Sequence, residues 1–144
     1  MQRFDVVILG GGLVGLTLGI ALSRHGVQCA VIDPADPVQA TAAGFDGRVS
    51  AISSTSHAML QAIGVGAHLE GKGCPIDRIW VSDGLEPGAL DFVPDADDGV
   101  MGTMFPNRDL RVALAQTAAE VENLTIFQPD RAVQVDRNAD GVTL

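Results

Sequence analysis

The chain has 144 residues, enough for one compact domain with its own core. Hydrophobic residues make up 47% of the sequence, which excludes an intrinsically disordered chain. The formal net charge is -9 and Lys and Arg form no cluster, so we expect no binding to nucleic acid.

The two cysteines and three histidines predict neither a disulfide framework nor a metal site. Cys29 lies in an apolar run, Cys74 lies in a predicted loop, and no Cys/His spacing suits zinc. We therefore expect reduced thiols and a cytoplasmic location. Residues 6–23 carry no charge, but spaced glycines interrupt them, which argues against a signal peptide or membrane span.

The N-terminal elements predict a βαβ unit. Residues 4–9 have the pattern of a buried strand, residues 13–24 that of a helix, and residues 28–32 that of a second strand. The glycines at 10–12 separate the first strand from the helix, and Gly26 ends the helix. Two parallel strands joined by a helix should have a right-handed crossover.

The middle of the chain predicts a loop, a helix and a pair of strands. Residues 33–47 are rich in Asp, Pro, Ala and Gly and predict the loop; the helix follows over 54–63, capped by one of the hydroxyl residues at 53–56 and ended by Gly64. Residues 76–82 and 89–93 predict antiparallel strands, joined through turn residues at 83–84 and 87–88. The acidic residues at 95, 97 and 98 predict a solvated loop.

The last third predicts one helix among strands. Residues 101–105 predict a short strand, and residues 110–121 a helix with Asn107 or Asp109 near its start. Further strands are predicted over 124–127, 131–136 and 142–144, the last two joined as a hairpin by the turn sequence at 138–141. Because the chain stops as this last strand begins, we expect a fragment of a larger domain.

The sequence Gly10-x-Gly12-x-x-Gly15 follows the first strand and opens the first helix. Gly10 allows the tight turn, Gly12 lets a pyrophosphate approach the backbone, and Gly15 lets helix and strand pack closely. Unpaired N–H groups and the positive end of the helix dipole meet at this point, and no acidic residue lies between residues 10 and 23. We therefore predict that the first thirty-five residues bind the ADP half of a dinucleotide.

Asp33 ends the second strand, near the spacing of roughly 20 residues expected for a carboxylate that bonds ribose hydroxyls. An acidic residue here disfavours a 2′-phosphate, so NADP is not expected in this particular site. Asp33 does not distinguish FAD from NAD.

A resemblance to a known enzyme family distinguishes FAD from NAD. The sequence DGRVSAIS at 46–53, with the helix that ends LQAIGV at 60–65, resembles the flavin-dependent aromatic-ring monooxygenases, and among them most the ubiquinone-biosynthesis hydroxylases. FPNRDLRVAL at 105–114 is similar to the Asn-Arg-x-Leu-x-x-Ala-Leu helix start of these enzymes. The likeness covers residues 5–144.

The resemblance implies an α/β fold: a Rossmann-like, three-layer FAD/NAD(P)-binding domain of the p-hydroxybenzoate hydroxylase type with antiparallel β insertions, here truncated. Residues 1–144 would be the N-terminal part of that FAD-binding domain. The family's later flavin-site segments and its substrate-binding sheet would lie beyond Leu144.

The resemblance also assigns FAD contacts. The pyrophosphate would lie on the glycine turn, at Gly10, Gly12, Leu13, Val14 and Gly15, and Asp33 would bind the adenosine ribose. Arg48, with Asn107 or Arg108, would contact the pyrophosphate and ribityl side, and the backbone of Ala132 or Val133 would contact adenine.

Ordinary structural roles are the alternative for several of these residues. Arg48 would then be a surface cation, Arg108 would be solvated beside Asp109, and Ala132 and Val133 would belong to the core.

The implied activity is hydroxylation of an aromatic ring, with FAD as cofactor and NADPH or NADH and O2 as co-substrates. The substrate would be a small aromatic or polyprenylated phenol, reached through contact with the membrane surface by parts beyond this chain. We expect no catalytic side chain within residues 1–144 and leave the oligomeric state open.

Three other functions stay open. A halogenase or reductase would use the same cofactor without hydroxylating a ring. An NAD dehydrogenase would continue with βαβ repeats, against which the antiparallel pattern at 76–93 argues. A nucleotide-binding fragment without activity would not retain FAD.

Overall fold

The computed structural model describes residues 2–44, 46–84, 89–95 and 99–144. They fall into two compact units, a first unit of Met1–Gly44 with Arg111–Leu144 and a second unit of Phe45–Leu110. The elements in chain order are β1 (Val6–Leu9), α1 (Leu13–Arg24), β2 (Cys29–Ile32), α2 (Pro37–Ala40), β3 (Val49–Ser53), α3 (Ser54–Ala62), a 3-10 helix (Val65–Leu69), β4 (Cys74–Ile76), β5 (Ile79–Ser82), β6 (Ala89–Phe92), β7 (Gly102–Pro106), α4 (Asn107–Ala119), β8 (Leu124–Phe127), β9 (Asp136–Asn138) and β10 (Gly141–Thr143).

A parallel sheet forms the centre of the first unit. Strand β2 lies between β1 and β8, and Val31 pairs with Ile8 on one side and Ile126 on the other. Helix α1 packs against all three strands. Ile20 of the helix and Val31 of the sheet have no exposed surface, as expected for strands whose apolar run is covered by a helix. The predicted βαβ unit is confirmed.

Glycine brings α1 close to this sheet. A β-carbon on Gly19 would lie 3.1 Å from Leu124 Cδ1 and 3.1 Å from Val31 Cγ2. The helix ends as predicted, because Gly26 takes a left-handed conformation (φ 85°) and donates its N–H to the carbonyl oxygen of Ser23 at 3.0 Å. Two glycines that are visible in the sequence thus determine how closely α1 packs on the sheet and where the helix ends.

The second unit is built on an antiparallel sheet. Strand β7 lies between β3 and β4, and α3 packs on β3 and β7. Phe105 is buried there, and its ring stands edge-on to that of His57 with 5.5 Å between centroids. Helix α3 is capped by Ser53, whose Oγ accepts the Ser56 N–H at 3.2 Å, and it is followed by Gly64 at φ 90°.

Strands β5 and β6 form a separate antiparallel ribbon in the second unit. The predicted pairing is confirmed, although Ile76 belongs to β4 and the ribbon begins at Ile79. The predicted turn at 87–88 lies outside the described residues, as do positions 97 and 98 of the predicted acidic loop.

Three predictions along the chain were wrong. Cys74, predicted to lie in a loop, is the first residue of β4 and pairs with Met104 of β7. The loop predicted over 33–47 contains α2, which has Pro37 at its first position and an Asp36 carboxylate that accepts the Val38 N–H at 2.8 Å. The strand predicted over 131–136 is absent, because residues 131–135 have no regular structure and only Asp136 enters β9.

The other predicted elements are present, with ends that agree with the prediction or differ from it by a few residues. Helix α4 begins at Asn107 rather than 110, and its residues Ala113, Leu114 and Thr117 are buried. The hairpin at the turn 138–141 is confirmed by the antiparallel pairing of β9 with β10. Within the described residues, no helix has the length and apolar character needed to cross a membrane.

Candidate functional site

The turn between β1 and α1 depends on glycine at its first position. Gly10 has φ +108°, a left-handed conformation that a residue with a side chain adopts only with strain. Its N–H donates to the carbonyl oxygen of Ile32 at 2.8 Å, which ties the turn to the end of β2. The tight turn predicted for Gly10 is present.

Gly15 has a packing role. A β-carbon at this position would overlap the carbonyl oxygen of Gly10 and approach Ile8 Cγ2 at 3.4 Å. The first turn of α1 therefore lies directly against the glycine turn and β1, as the GxGxxG spacing predicts.

Gly12, unlike Gly10 and Gly15, is not required to be glycine by the conformation or the packing of the protein. It caps α1 in an extended conformation with φ -72°, which any residue tolerates, and a β-carbon there would have no neighbour within 4 Å. No residue that the structure describes fills the space where a side chain would lie, so a ligand could occupy it. A phosphate group approaching the helix end would need that space.

The start of α1 is suited to an anion. The N–H groups of its first turn, at Leu13, Val14 and Gly15, have no partner within the helix. No side chain caps Gly12 and no acidic residue lies in the first turn. These donors, with the positive end of the helix dipole, fit the diphosphate of a dinucleotide.

The structure places Asp33 beside the glycine turn. Its Oδ2 accepts the Gly11 N–H at 2.5 Å and its Oδ1 accepts the Ala35 N–H at 2.7 Å. Gly11 was missed in the sequence-based choice of site residues, although the unbroken Gly10-Gly11-Gly12 run marked it. The diphosphate donors and the predicted ribose carboxylate thus lie at the same end of the parallel sheet.

Arg48 and Asn107 come together in the second unit. The Asn107 N–H donates to the Arg48 carbonyl oxygen at 3.0 Å, where β3 and β7 pair through Val49 and Pro106. The Asn107 side chain accepts a 2.6 Å hydrogen bond from Ser50 Oγ. The Arg48 guanidinium lies 3.2 Å from the Asp46 carboxylate and the side chain is 68% exposed, so it has room to reach a ligand.

Arg108 lies beside Asp109, as its ordinary alternative predicted, but it is not the solvated side chain of that alternative. Its guanidinium lies 3.2 Å from Asp109, and the side chain is partly buried. The contacts of Arg108, Arg48 and Asn107 with FAD stay predictions.

Ala132 and Val133 lie in the irregular segment that replaces the predicted strand. Val133 is 90% exposed, so it is not a core residue, whereas Ala132 is half-buried. Their backbone contact with adenine stays a prediction. Among the described residues no group of His, Cys, Asp and Glu side chains is arranged to hold a metal ion.

Comparisons with known proteins agree with this geometry. A family model described as FAD binding domain matches residues 3–144. Ubiquinone hydroxylase UbiL of Rhodospirillum rubrum is 42% identical over 139 residues, which are 96% of this chain and 32% of that protein. The 3-demethoxyubiquinol 3-hydroxylase of Escherichia coli is 28% identical over 141 residues, 96% of this chain and 36% of that protein.

A solved structure shows the same fold. The p-nitrophenol 4-monooxygenase PnpA of Pseudomonas putida superposes with a TM-score of 0.72 at 18% identity, over 99% of this chain and 35% of that one. The chain spans about a third of the length of the curated relatives it matches. The predicted fold class and the resemblance to ubiquinone-biosynthesis hydroxylases are confirmed. With residues 3–144 matched and the glycine turn, helix start and Asp33 in place, the chain belongs to the FAD-binding domain family, and FAD is its cofactor.

Proposed function

We propose that this chain is the N-terminal part of the FAD-binding domain of an NAD(P)H- and O2-dependent monooxygenase that hydroxylates an aromatic ring. The 42% identity to Ubiquinone hydroxylase UbiL over nearly the whole chain carries this proposal. We extend it to a polyprenylated phenol of ubiquinone biosynthesis as the substrate. Fold alone does not determine substrate, so the sequence similarity is the argument here.

The glycine turn would hold the diphosphate of FAD. The first-turn amides of Leu13, Val14 and Gly15 would donate to its oxygens, and Gly12 would leave space for them. Gly10 would shape the turn, since its own N–H is used by Ile32.

The remaining contacts would come from Asp33, from a late backbone segment and from the residues around the start of α4. Asp33 would bond the adenosine ribose, and the backbone of Ala132 or Val133 would meet adenine. Arg48 with Asn107 or Arg108 would contact the pyrophosphate and ribityl side. The exposed guanidinium of Arg48 and the fixed position of the Asn107 backbone support this assignment.

Bound FAD supplies the redox chemistry, and the residues of this chain bind and orient it. We assign no acid, base or nucleophile to residues 1–144. NADH or NADPH would deliver the electrons from outside this nucleotide site, because FAD would occupy it. Asp33 would in addition repel the 2′-phosphate of NADPH here.

A polyprenyl chain is insoluble in water, so we propose that the whole protein works at a membrane surface, on its cytoplasmic side. The contact would be made by parts of the protein beyond this chain.

The test is a turnover experiment on the whole protein. Flavin absorbance that stays with the protein through gel filtration would support the cofactor site. Incubation with NADH or NADPH, isotopically labelled O2 and a prenylated phenol should place one labelled oxygen atom on the ring, detected by mass spectrometry. NAD(P)H oxidation with no label in any product would instead favour a reductase-type flavoenzyme.

A further inference from the structure

We propose that Asp33 is also a positioning residue: by accepting the Gly11 N–H it holds the glycine turn in its binding shape before FAD arrives. Gly11 must be glycine for this contact to form. The inference rests on the FAD site proposed above, and it adds to the ribose contact a second role that does not involve the ribose.

The position of the Asp33 carboxylate is fixed by the sheet. Its own N–H donates to the Phe127 carbonyl oxygen at 3.0 Å, and its carbonyl oxygen accepts the Asp130 N–H at 2.9 Å. The residue is therefore held on the β8 side by its backbone, while its side chain reaches Gly11 and Ala35 on the other.

Two successive amides of the turn are tied to the end of β2. Gly10 N–H donates to the Ile32 carbonyl oxygen at 2.8 Å, and Gly11 N–H donates to Asp33 Oδ2. These two donors shape the turn and leave the diphosphate to the amides of the helix start. A turn ordered in the absence of ligand loses less entropy when FAD binds.

Gly11 lies where a side chain cannot fit. A β-carbon there would lie 2.9 Å from Asp33 Cβ and 3.3 Å from Val31 Cγ1. Since Val31 belongs to the buried core of β2, Asp33 would have to move. The requirement for glycine at position 11, which is a variable position of the GxGxxG pattern, thus comes from the β-carbon of Asp33 and from Val31, which hold the turn close enough for the carboxylate to accept the Gly11 N–H.

The two roles of Asp33 are compatible. Each carboxylate oxygen can accept two hydrogen bonds, so one N–H on each oxygen leaves capacity for ribose hydroxyls. The same N–H donors offset the negative charge beside the diphosphate site.

An FAD analogue without the 2′- and 3′-hydroxyls of the adenosine ribose separates the roles. In the whole protein stripped of flavin, Asp33→Ala should raise the Kd of this analogue by roughly tenfold, the effect of one hydrogen bond to a charged group. Gly11→Ala should raise it similarly. If the Kd for the analogue is the same in Asp33→Ala and wild type, the carboxylate acts only on the ribose and the proposal is overturned.

Asp36→Ala is the matched control. Asp36 is the next carboxylate along the chain, and it acts on α2: its side chain accepts the Val38 N–H and its carbonyl oxygen the Ala40 N–H. This variant should bind both FAD and the analogue as the wild type does. Asp33→Asn, which keeps one acceptor oxygen in the same shape, should give a Kd between those of wild type and Asp33→Ala, and it carries the test if Asp33→Ala does not fold.

A second measurement needs no flavin. Hydrogen exchange of the Gly11 amide, followed by NMR in the flavin-free protein, should be slow in wild type and Asp36→Ala and at least tenfold faster in Asp33→Ala. Unchanged exchange would overturn the proposal. Should the wild type bind neither FAD nor the analogue, the FAD-site assignment fails, and this measurement still decides whether Asp33 holds the turn.

Discussion

The α-carbon of Gly15 faces the carbonyl oxygen of Gly10 so closely that a β-carbon on Gly15 would overlap that oxygen. Helix α1 and the turn before it are thus packed without room for a methyl group. The contact explains why the third glycine of the pattern is needed even without a ligand, whereas Gly12 has open space around it.

Gly15→Ala should destabilise the protein itself. The added methyl group must displace the turn or the helix, and overpacking of this kind costs about 1–3 kcal/mol. Urea unfolding of the flavin-free protein measures the change. If Gly15→Ala has the stability of the wild type, the turn can move to make room for the methyl group, and the tight contact between Gly15 and Gly10 is not required.

Gly12→Val should affect FAD binding far more than it affects the stability of the protein. Its side chain enters open space, so the free energy of unfolding without flavin should fall by no more than about 1 kcal/mol, the cost of a poorer N-cap residue. FAD retention should be lost, because the side chain fills the space assigned to the diphosphate. Flavin absorbance after gel filtration measures retention, and wild-type retention by Gly12→Val would contradict the assignment of the diphosphate to this space.

Asn107→Ala should weaken the second unit. It removes the acceptor of the part-buried Ser50 hydroxyl, and an unpaired group of this kind costs about 1–3 kcal/mol. In a double-mutant cycle, adding Ser50→Ala should cost little more, because the partner is already lost. Thermal unfolding of the two single variants and the double variant measures the coupling; strictly additive losses would show that the bond contributes nothing.

The ribbon offers a prediction on pH. The hydrogen bond and the charge of Arg78, 2.6 Å away, lower the pKa of Asp91 below its ordinary value of 3.8. The stabilisation from this pair is therefore complete above that ordinary value and is lost as the pH falls through the lowered pKa. An NMR titration of the Asp91 carboxyl should show the low midpoint in wild type and a normal one in Arg78→Gln. Equal midpoints would show that the ion pair does not form in solution.

Local patterns predicted the part of the fold that holds the site. The apolar strands, the glycine spacing and the position of Asp33 are all set within the first thirty-five residues, and the structure reproduces them. The start of a helix could also be predicted where a single side chain caps it, as Ser53 caps α3. Asp36 followed by Pro37 is such a signal too, and it identifies α2 within a segment whose composition favours a loop.

Two features that the sequence analysis did not predict correctly depend on partners distant in the chain. The run over 131–136 has the composition of a strand, but a strand needs a neighbour to pair with, and local sequence does not reveal whether one is available. Likewise the contact of Gly11 with Asp33 joins residues from two elements. The GxGxxG spacing identifies the three glycines that shape the turn and the helix start, and only the structure shows that Gly11 donates to the Asp33 carboxylate.

Strand β1 has one further consequence. It pairs with β2 on one side, and among the described residues no strand pairs with its other side. Its four residues, Val6–Leu9, are all apolar and offer a row of backbone donors and acceptors along that open edge, the usual starting point for aggregation. Work with this chain by itself should therefore begin at low protein concentration, with light scattering to detect self-association.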